Sequence, residues 1–350
     1  MQMPEIAPHC IFFTLHTLLR CRAVGPSAQK NPWVSPPSVR GDAWLWPSMR
    51  PRVLCVIPAR FASTRLHGKP LLHVDGEPMI AHVIRAARAA ANVHEVLVAT
   101  DHDGIAQVAR AEGVDAIMTN SALPSGTDRV AAALLQRGAA ADVVVNVQCD
   151  EPRIDPAAIE LVSELLLRRP AADMSTLSAP LDLGALLDPN RVKVVCCAEP
   201  TEQGASGVTS GVTAARALFF SRAPIGVDRE LMRSLMQPEA HAGHAANIAN
   251  AAHAAHAANA AHAVHAAPRA VTDAPAYACR LHVGIYAFRP AALHRLVALP
   301  PSPLEVLERL EQLRALEAGM HIVVGRVDCA PHGVDTAEDL RAVQGPGFLH

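Results

Sequence analysis

The chain has 350 residues, half of them hydrophobic, and a formal net charge of −2. That supplies a sizeable core, but its charges are too balanced for a protein that grips nucleic-acid backbones, which require clustered Lys and Arg. No apolar run approaches the ~20 residues of a membrane span, and Ile11–Leu19 lacks the basic flank of a signal peptide.

Residues 1–48 are rich in Pro, Arg, Cys and Trp and show no sustained periodicity. They read as a disordered extension or as a stretch upstream of a true start at Met49. From Val53 onward, short β-branched runs alternate with helical patterns. Val53–Ile57, Val96–Ala99, Ala116–Met118 and Val143–Val147 read as buried strands, with helices expected over Pro78–Ala91, Gly104–Glu112 and Thr127–Arg137. That alternation predicts an α/β fold with a mostly parallel sheet and helices on both faces. Ligands of such folds sit beyond the carboxyl ends of the strands.

Further strands are expected at Asp173–Pro180, Val192–Cys196 and Val323–Val327, and a last helix at Thr336–Val343. Leu304, Leu307, Leu310, Leu313 and Leu316 suggest one amphipathic helix. Residues 238–275 are low in complexity, with histidines spaced by multiples of three among alanines, and read as a tolerated surface insertion. Residues 345–350 form a tail. The eight cysteines are scattered and form no CxxC pair, which excludes an obvious zinc site or disulfide framework and fits reduced, cytosolic thiols.

Two motifs carry chemistry. Ile57–Pro70 (IPARFASTRLHGKP) follows a strand and places Arg60, Arg65 and Lys69 on one loop, with Ser63, Thr64 and Gly68 between them. Guanidinium forks, an ammonium and loop amides together suit a triphosphate. Val143–Pro152 (VVVNVQCDEP) is a buried strand ending in Gln148, Asp150 and Glu151. A carboxylate there can hold Mg²⁺, which favours one or two carboxylates plus phosphate oxygens. Asp155 reads as the N-cap of the helix that follows.

With these motifs the chain resembles the 3-deoxy-manno-octulosonate cytidylyltransferases, also called CMP-Kdo synthetases. Further matches run in the same order: Ala99–Asp101, Ser125–Arg129, Val192–Val194, Phe220–Ala223, His282–Tyr286, Pro301–Glu305, Leu310–Arg314 and Gly333–Thr336. The resemblance implies a nucleotidyltransferase fold over residues 49–344, with a smaller sugar-binding and dimerisation region from about Ala179 to Arg289. It implies a cytoplasmic homodimer that takes CTP and the sugar acid Kdo, works with Mg²⁺ and serves lipopolysaccharide synthesis. Nucleic acid and membrane are not among its implied partners. By resemblance, Arg60, Ser63, Arg65 and Lys69 hold the CTP phosphates, and Ser125, Gly126, Thr127 and Arg129 hold the cytidine. Asp150 and Asp335 hold the metal. Gln148, Arg222, His282, Tyr286, Glu311 and Gln312 contact the sugar, and the catalytic set is Arg60, Arg65, Lys69 and Asp150. An amino analogue of the sugar and an inactive nucleotide-binding relative are the rival readings.

The chain departs from the family pattern at several positions. Cys149 replaces a glycine, Leu123 a histidine, His67 a proline, and Gly226-Val227 a Pro-Trp pair; Leu281 stands where a basic residue precedes the histidine. Glycine at position 149 implies a positive φ or a close backbone approach, so Cys149 is expected to lower efficiency while its thiol stays neutral.

Overall fold

The computed structural model describes residues 51–62, 66–138, 140–198, 214–229, 232 and 279–344. The chain separates into two units, Met1–Met49 and Arg50–His350. The first unit, the His/Ala insertion and the tail lie outside the described residues. In chain order the elements are β1 (Val53–Ala59), β2 (His73–Val74), β3 (Glu77–Pro78), α1 (Met79–Ala89), β4 (Glu95–Thr100), α2 (Asp103–Ala111), β5 (Asp115–Met118), α3 (Gly126–Arg137), β6 (Val143–Asn146), α4 (Pro156–Leu167), β7 (Met174–Ala179), α5 (Leu183–Leu187), β8 (Lys193–Ala198), β9 (Ala215–Ser221), β10 (Arg280–Phe288), α6 (Pro290–Ala298), α7 (Pro303–Glu308), α8 (Gln312–Glu317), β11 (Ile322–Arg326) and α9 (Ala337–Val343).

A nine-stranded sheet, in the order β5-β4-β1-β6-β10-β7-β11-β9-β8, forms the centre. Strand alternation divides its two faces. In β1, Val53, Cys55, Ile57 and Ala59 point into one core with α1, α2 and α4, while Leu54 and Val56 point into the other with α3, α6 and α8. Both faces of β1 are covered, which is why its sequence is apolar without interruption.

The expected parallel pairing holds over β5-β4-β1-β6. Beyond β6 the sheet is mixed: β10 runs antiparallel to both β6 and β7, and β9 antiparallel to β8 and β11, while β11 and β7 are parallel. The described strands between Ala179 and Arg289 therefore continue the main sheet. Two expectations are corrected. Ala116–Met118 belongs to an edge strand whose ends are exposed, because β5 has a neighbour on one side only. The leucine repeat makes two short helices, α7 and α8, broken at Arg309 with φ 53°. A three-residue step falls about 60° short of a helical turn each time, so the leucines spiral around the axis. Leu310 and Leu313 are accordingly buried while Leu307 is 79% exposed.

Caps set the helix starts near the site. The Ser125 side chain accepts the Asp128 N–H and opens α3, and Asp155 opens α4 as expected. Thr336 and Asp339 form a capping box at α9.

Candidate active site

Four segments end at one rim of the sheet. β1 gives way to Arg60, β4 to Asp101, and β6 to Gln148 and Asp150; the turn before α9 brings Asp335. Lys69 opens a short 3-10 turn behind Gly68, whose φ of 65° suits glycine. The Lys69 ammonium donates to Asp150 Oδ2 at 2.8 Å and to Asp335 Oδ1 at 3.0 Å. Residues 185 positions apart (335 minus 150) thus share one cation. The backbone explains the meeting: the Val334 N–H donates to the Asp150 carbonyl at 2.9 Å. Burial pulls the Lys69 pKa down, but Asp150 and then Asp335 outweigh it and hold the ammonium above its ordinary value.

The two carboxylates suit a divalent cation. Their oxygens are hard donors, and Asp150 and Asp335 are 34% and 53% exposed, which leaves room for phosphate oxygens in the coordination shell. The Lys69 nitrogen holds the cation position between them. Arg60 is exposed at the loop's start. Ser63 and Arg65 lie outside the described residues.

A second network of hydrogen bonds lies beside this cluster. Thr127 Oγ1 donates to Glu311 Oε2 at 2.7 Å, and Ser125 Oγ lies 2.8 Å from Glu311 Oε1. Asn146 Nδ2 reaches Thr127 at 3.3 Å, and Gln148 Nε2 reaches Asn146 Oδ1 at 3.0 Å. Ser125 has one proton for two carboxylates, since Asp128 Oδ2 is 2.6 Å away. Burial raises the Glu311 pKa against the opposing bonds from Thr127 and Ser125. At Gly126 a Cβ would meet Pro58 Cγ at 3.3 Å and Gln148 Oε1 at 3.4 Å, so this turn needs a small residue. The helix break at Arg309 frees Glu311 to point at the turn.

On β10 the register slips between Val283 and Tyr286, a bulge at Gly284 and Ile285. It places His282 and Tyr286 half-buried with rings 5.5 Å apart. Thr176 Oγ1 donates to the Ile285 carbonyl at 2.8 Å, so it accepts from His282 Nε2 at 3.0 Å. Burial lowers the His282 pKa to about 3, which keeps the ring neutral with its proton on Nε2. Burial, then Glu311 and Glu151, push the Tyr286 hydroxyl up.

Three residues assigned from the sequence have surroundings of their own. Arg129 is 2% exposed: it pairs with Asp101 Oδ2 at 3.0 Å and donates to Thr119 Oγ1. It holds Asp101, whose other oxygen accepts the Phe61 N–H at 2.9 Å, and so supports the loop that begins at Arg60. Gln312 opens α8. It is 5% exposed, and its Nε2 has no partner, because the second helix turns it inward. Arg222 Nε and Nη1 are engaged by the Glu308 and Pro189 carbonyls at 2.8 and 3.0 Å, while the buried Lys193 ammonium grips the Arg222 carbonyl.

The departures also resolve. Among described residues only Asp75 and Arg309 combine a side chain with positive φ, so Cys149 carries no left-handed strain, contrary to one branch of the expectation. Its thiol is pushed up to about 12 by burial and then by Asp150, and is neutral. Gly226 has φ 63°, and a Cβ there would lie 3.0 Å from Val195 Cγ2. Sequence reasoning overlooked Asn146, Thr176, Asp101 and the depth of Glu151. Glu151 is pushed up to about 8 by burial and then by Asp150, and its Oε2 has no partner. The signal for Asn146 was available, as a lone amide in the run Val143–Val147.

The cytidylyltransferase family profile matches residues 54–322. The 3-deoxy-manno-octulosonate cytidylyltransferase of Rhodopseudomonas palustris (strain HaA2) is 42% identical over 297 residues, covering 84% of this chain and 97% of that protein. Its counterpart from Azorhizobium caulinodans is 43% identical over 291 residues, covering 82% and 92%. Among solved structures, CMP:2-keto-3-deoxy-manno-octonic acid synthetase complexed with CTP is 34% identical, with a TM-score of 0.62, covering 84% of this chain and 97% of that one. The chain belongs to the 3-deoxy-manno-octulosonate cytidylyltransferase family of nucleotidyltransferases.

Proposed function

We propose that the protein transfers CMP from CTP to Kdo, releasing pyrophosphate and supplying CMP-Kdo for lipopolysaccharide synthesis. The observation that carries the reading is the shared hold of Asp150 and Asp335 on Lys69, at the end of the loop that begins with Arg60. Phosphoryl transfer asks a protein for positioning and charge neutralisation more than for covalent chemistry. Arg60 and Lys69 meet the phosphates. The Ser125–Thr127 turn, stiffened by Glu311, receives the cytidine. Gln148, His282 and Tyr286 orient the sugar, with His282 neutral and offering a lone pair on Nδ1. Asp150 and Asp335 would hold Mg²⁺, which would supply charge neutralisation for the phosphates and a lower pKa for the attacking sugar hydroxyl.

A cytoplasmic homodimer accompanies this reading. Among described residues no helix is long and apolar enough to cross a membrane. Val306 and Leu307 on α7 are 63% and 79% exposed, an apolar surface suited to a second copy.

The test is pyrophosphate release by the full chain with Mg²⁺, CTP and Kdo. Release that needs both substrates and exceeds that with UTP supports the proposal. Equal rates with UTP would remove the base-recognition role from the Ser125–Thr127 turn. No release with Kdo but release with its 8-amino analogue would reassign the sugar.

A further inference from the structure

The first residue after Arg60 is held unusually firmly. The Phe61 N–H donates to Asp101 Oδ1 at 2.9 Å, and its carbonyl accepts the Gly68 N–H at 3.1 Å, closing the base of the loop. The ring lies flat on His102, with centroids 3.8 Å apart and planes 7° apart, and His67 meets its edge at 4.7 Å. Two glycines make the space: a Cβ at Gly68 would lie 3.2 Å from Phe61 Cε2, and one at Gly104 would lie 3.0 Å from His102 Cε1.

His102 does two things with one ring. Its Nδ1 accepts the Gly104 N–H at 3.1 Å, capping α2. Its face covers Phe61. Aspartate would cap as well but offers no ring; phenylalanine would stack but offers no acceptor. The cap alone does not account for an aromatic side chain stacked in parallel on a loop residue.

We infer that His102 is a positioning residue for nucleotide binding, whose imidazole locks Phe61 and with it the two ends of the loop, Arg60 and Lys69. This inference rests on the proposed role of that loop in holding the CTP phosphates. His102 touches no substrate; it sets where Arg60 leaves β1 and where Gly68 delivers Lys69 to Asp150 and Asp335.

The cap and the stack can be separated by substitution. Steady-state kinetics would compare the wild type with His102→Asp, His102→Phe, Phe61→Leu and the Phe61→Leu/His102→Asp double variant. His102→Asp keeps a helix cap, and should raise KM for CTP roughly 2- to 10-fold, the scale of one ring contact. Its kcat and its KM for Kdo should stay within about twofold. His102→Phe should keep KM for CTP within about twofold, and the double variant should be no worse than Phe61→Leu, since both lose the same contact. A capping role alone reverses the ranking, with His102→Asp normal and His102→Phe impaired, and would overturn the inference. So would two normal single variants, two equally impaired ones, or a KM for Kdo that moves as far as that for CTP. If the wild type releases no pyrophosphate from CTP and Kdo, the proposed reaction fails instead, and CTP affinity by calorimetry on the same proteins carries the test.

Discussion

The two halves of the sheet offer side chains in different ways. In the parallel half, β5-β4-β1-β6, functional groups stand just beyond strand ends: Arg60 after β1, Asp101 after β4, Asp150 after β6. Those loops begin at one rim because parallel strands all point there. In the mixed half, His282 and Tyr286 come from the middle of an antiparallel strand and reach the site because a bulge turns them to it. Charge follows the same division. The parallel half supplies most of the ionic cluster around Lys69, and the mixed half supplies neutral rings and hydroxyls around Thr176. A triphosphate needs the first environment and a sugar's hydroxyls suit the second.

The comparison can be broken most sharply at the ionic end. Asp150→Asn should lower kcat on the order of a thousandfold or more in Mg²⁺-dependent turnover, as expected for loss of a metal-holding carboxylate, with little change in melting temperature. Undiminished turnover would remove Asp150 from the metal site. Arg129→Met should act on stability instead, by about 3–5 kcal/mol in urea unfolding, because it leaves Asp101 buried without its partner. A stable Arg129→Met protein with weakened CTP binding would restore the direct nucleotide role that burial argues against.

The neutral half is tested by pH. His282 titrates near its ordinary value when unfolded and at about 3 when folded. Between those values the unfolded chain binds the extra proton, so the stability from neutral His282 is complete above about pH 6.5 and is lost as pH falls toward 3. His282→Gln should flatten that acid limb, as read by urea midpoints from pH 7 to 4; an unchanged slope would show that His282 does not drive it. The smallest effect belongs to position 149. With no left-handed strain to relieve, Cys149→Gly is expected to raise kcat/KM by about twofold or less, through backbone approach alone. A larger gain would mean that the side chain obstructs substrate directly.

Much of this was legible in the sequence. The β-branched runs locate seven of the strands to within a few residues, and the family motifs name Lys69, Asp150 and Asp335, which the fold brings together. The leucine spacing misled because a three-residue repeat is not a helical period. The motif around Arg129 does not tell whether its guanidinium faces a nucleotide or a buried carboxylate, and in the fold it pairs with Asp101.

By itself the sequence determined the α/β class, the position of the Arg60–Lys69 loop at a strand's end and the family, since these depend on local pattern and motif order. Only the tertiary structure decided which groups meet. The Val334–Asp150 backbone bond pins Asp335 beside Asp150, the break at Arg309 delivers Glu311 to Ser125 and Thr127, and the bulge in β10 turns His282 and Tyr286 into the site. Each of those meetings joins residues far apart in the chain, and contact at that range is set by the packing of whole elements, which no local spacing encodes.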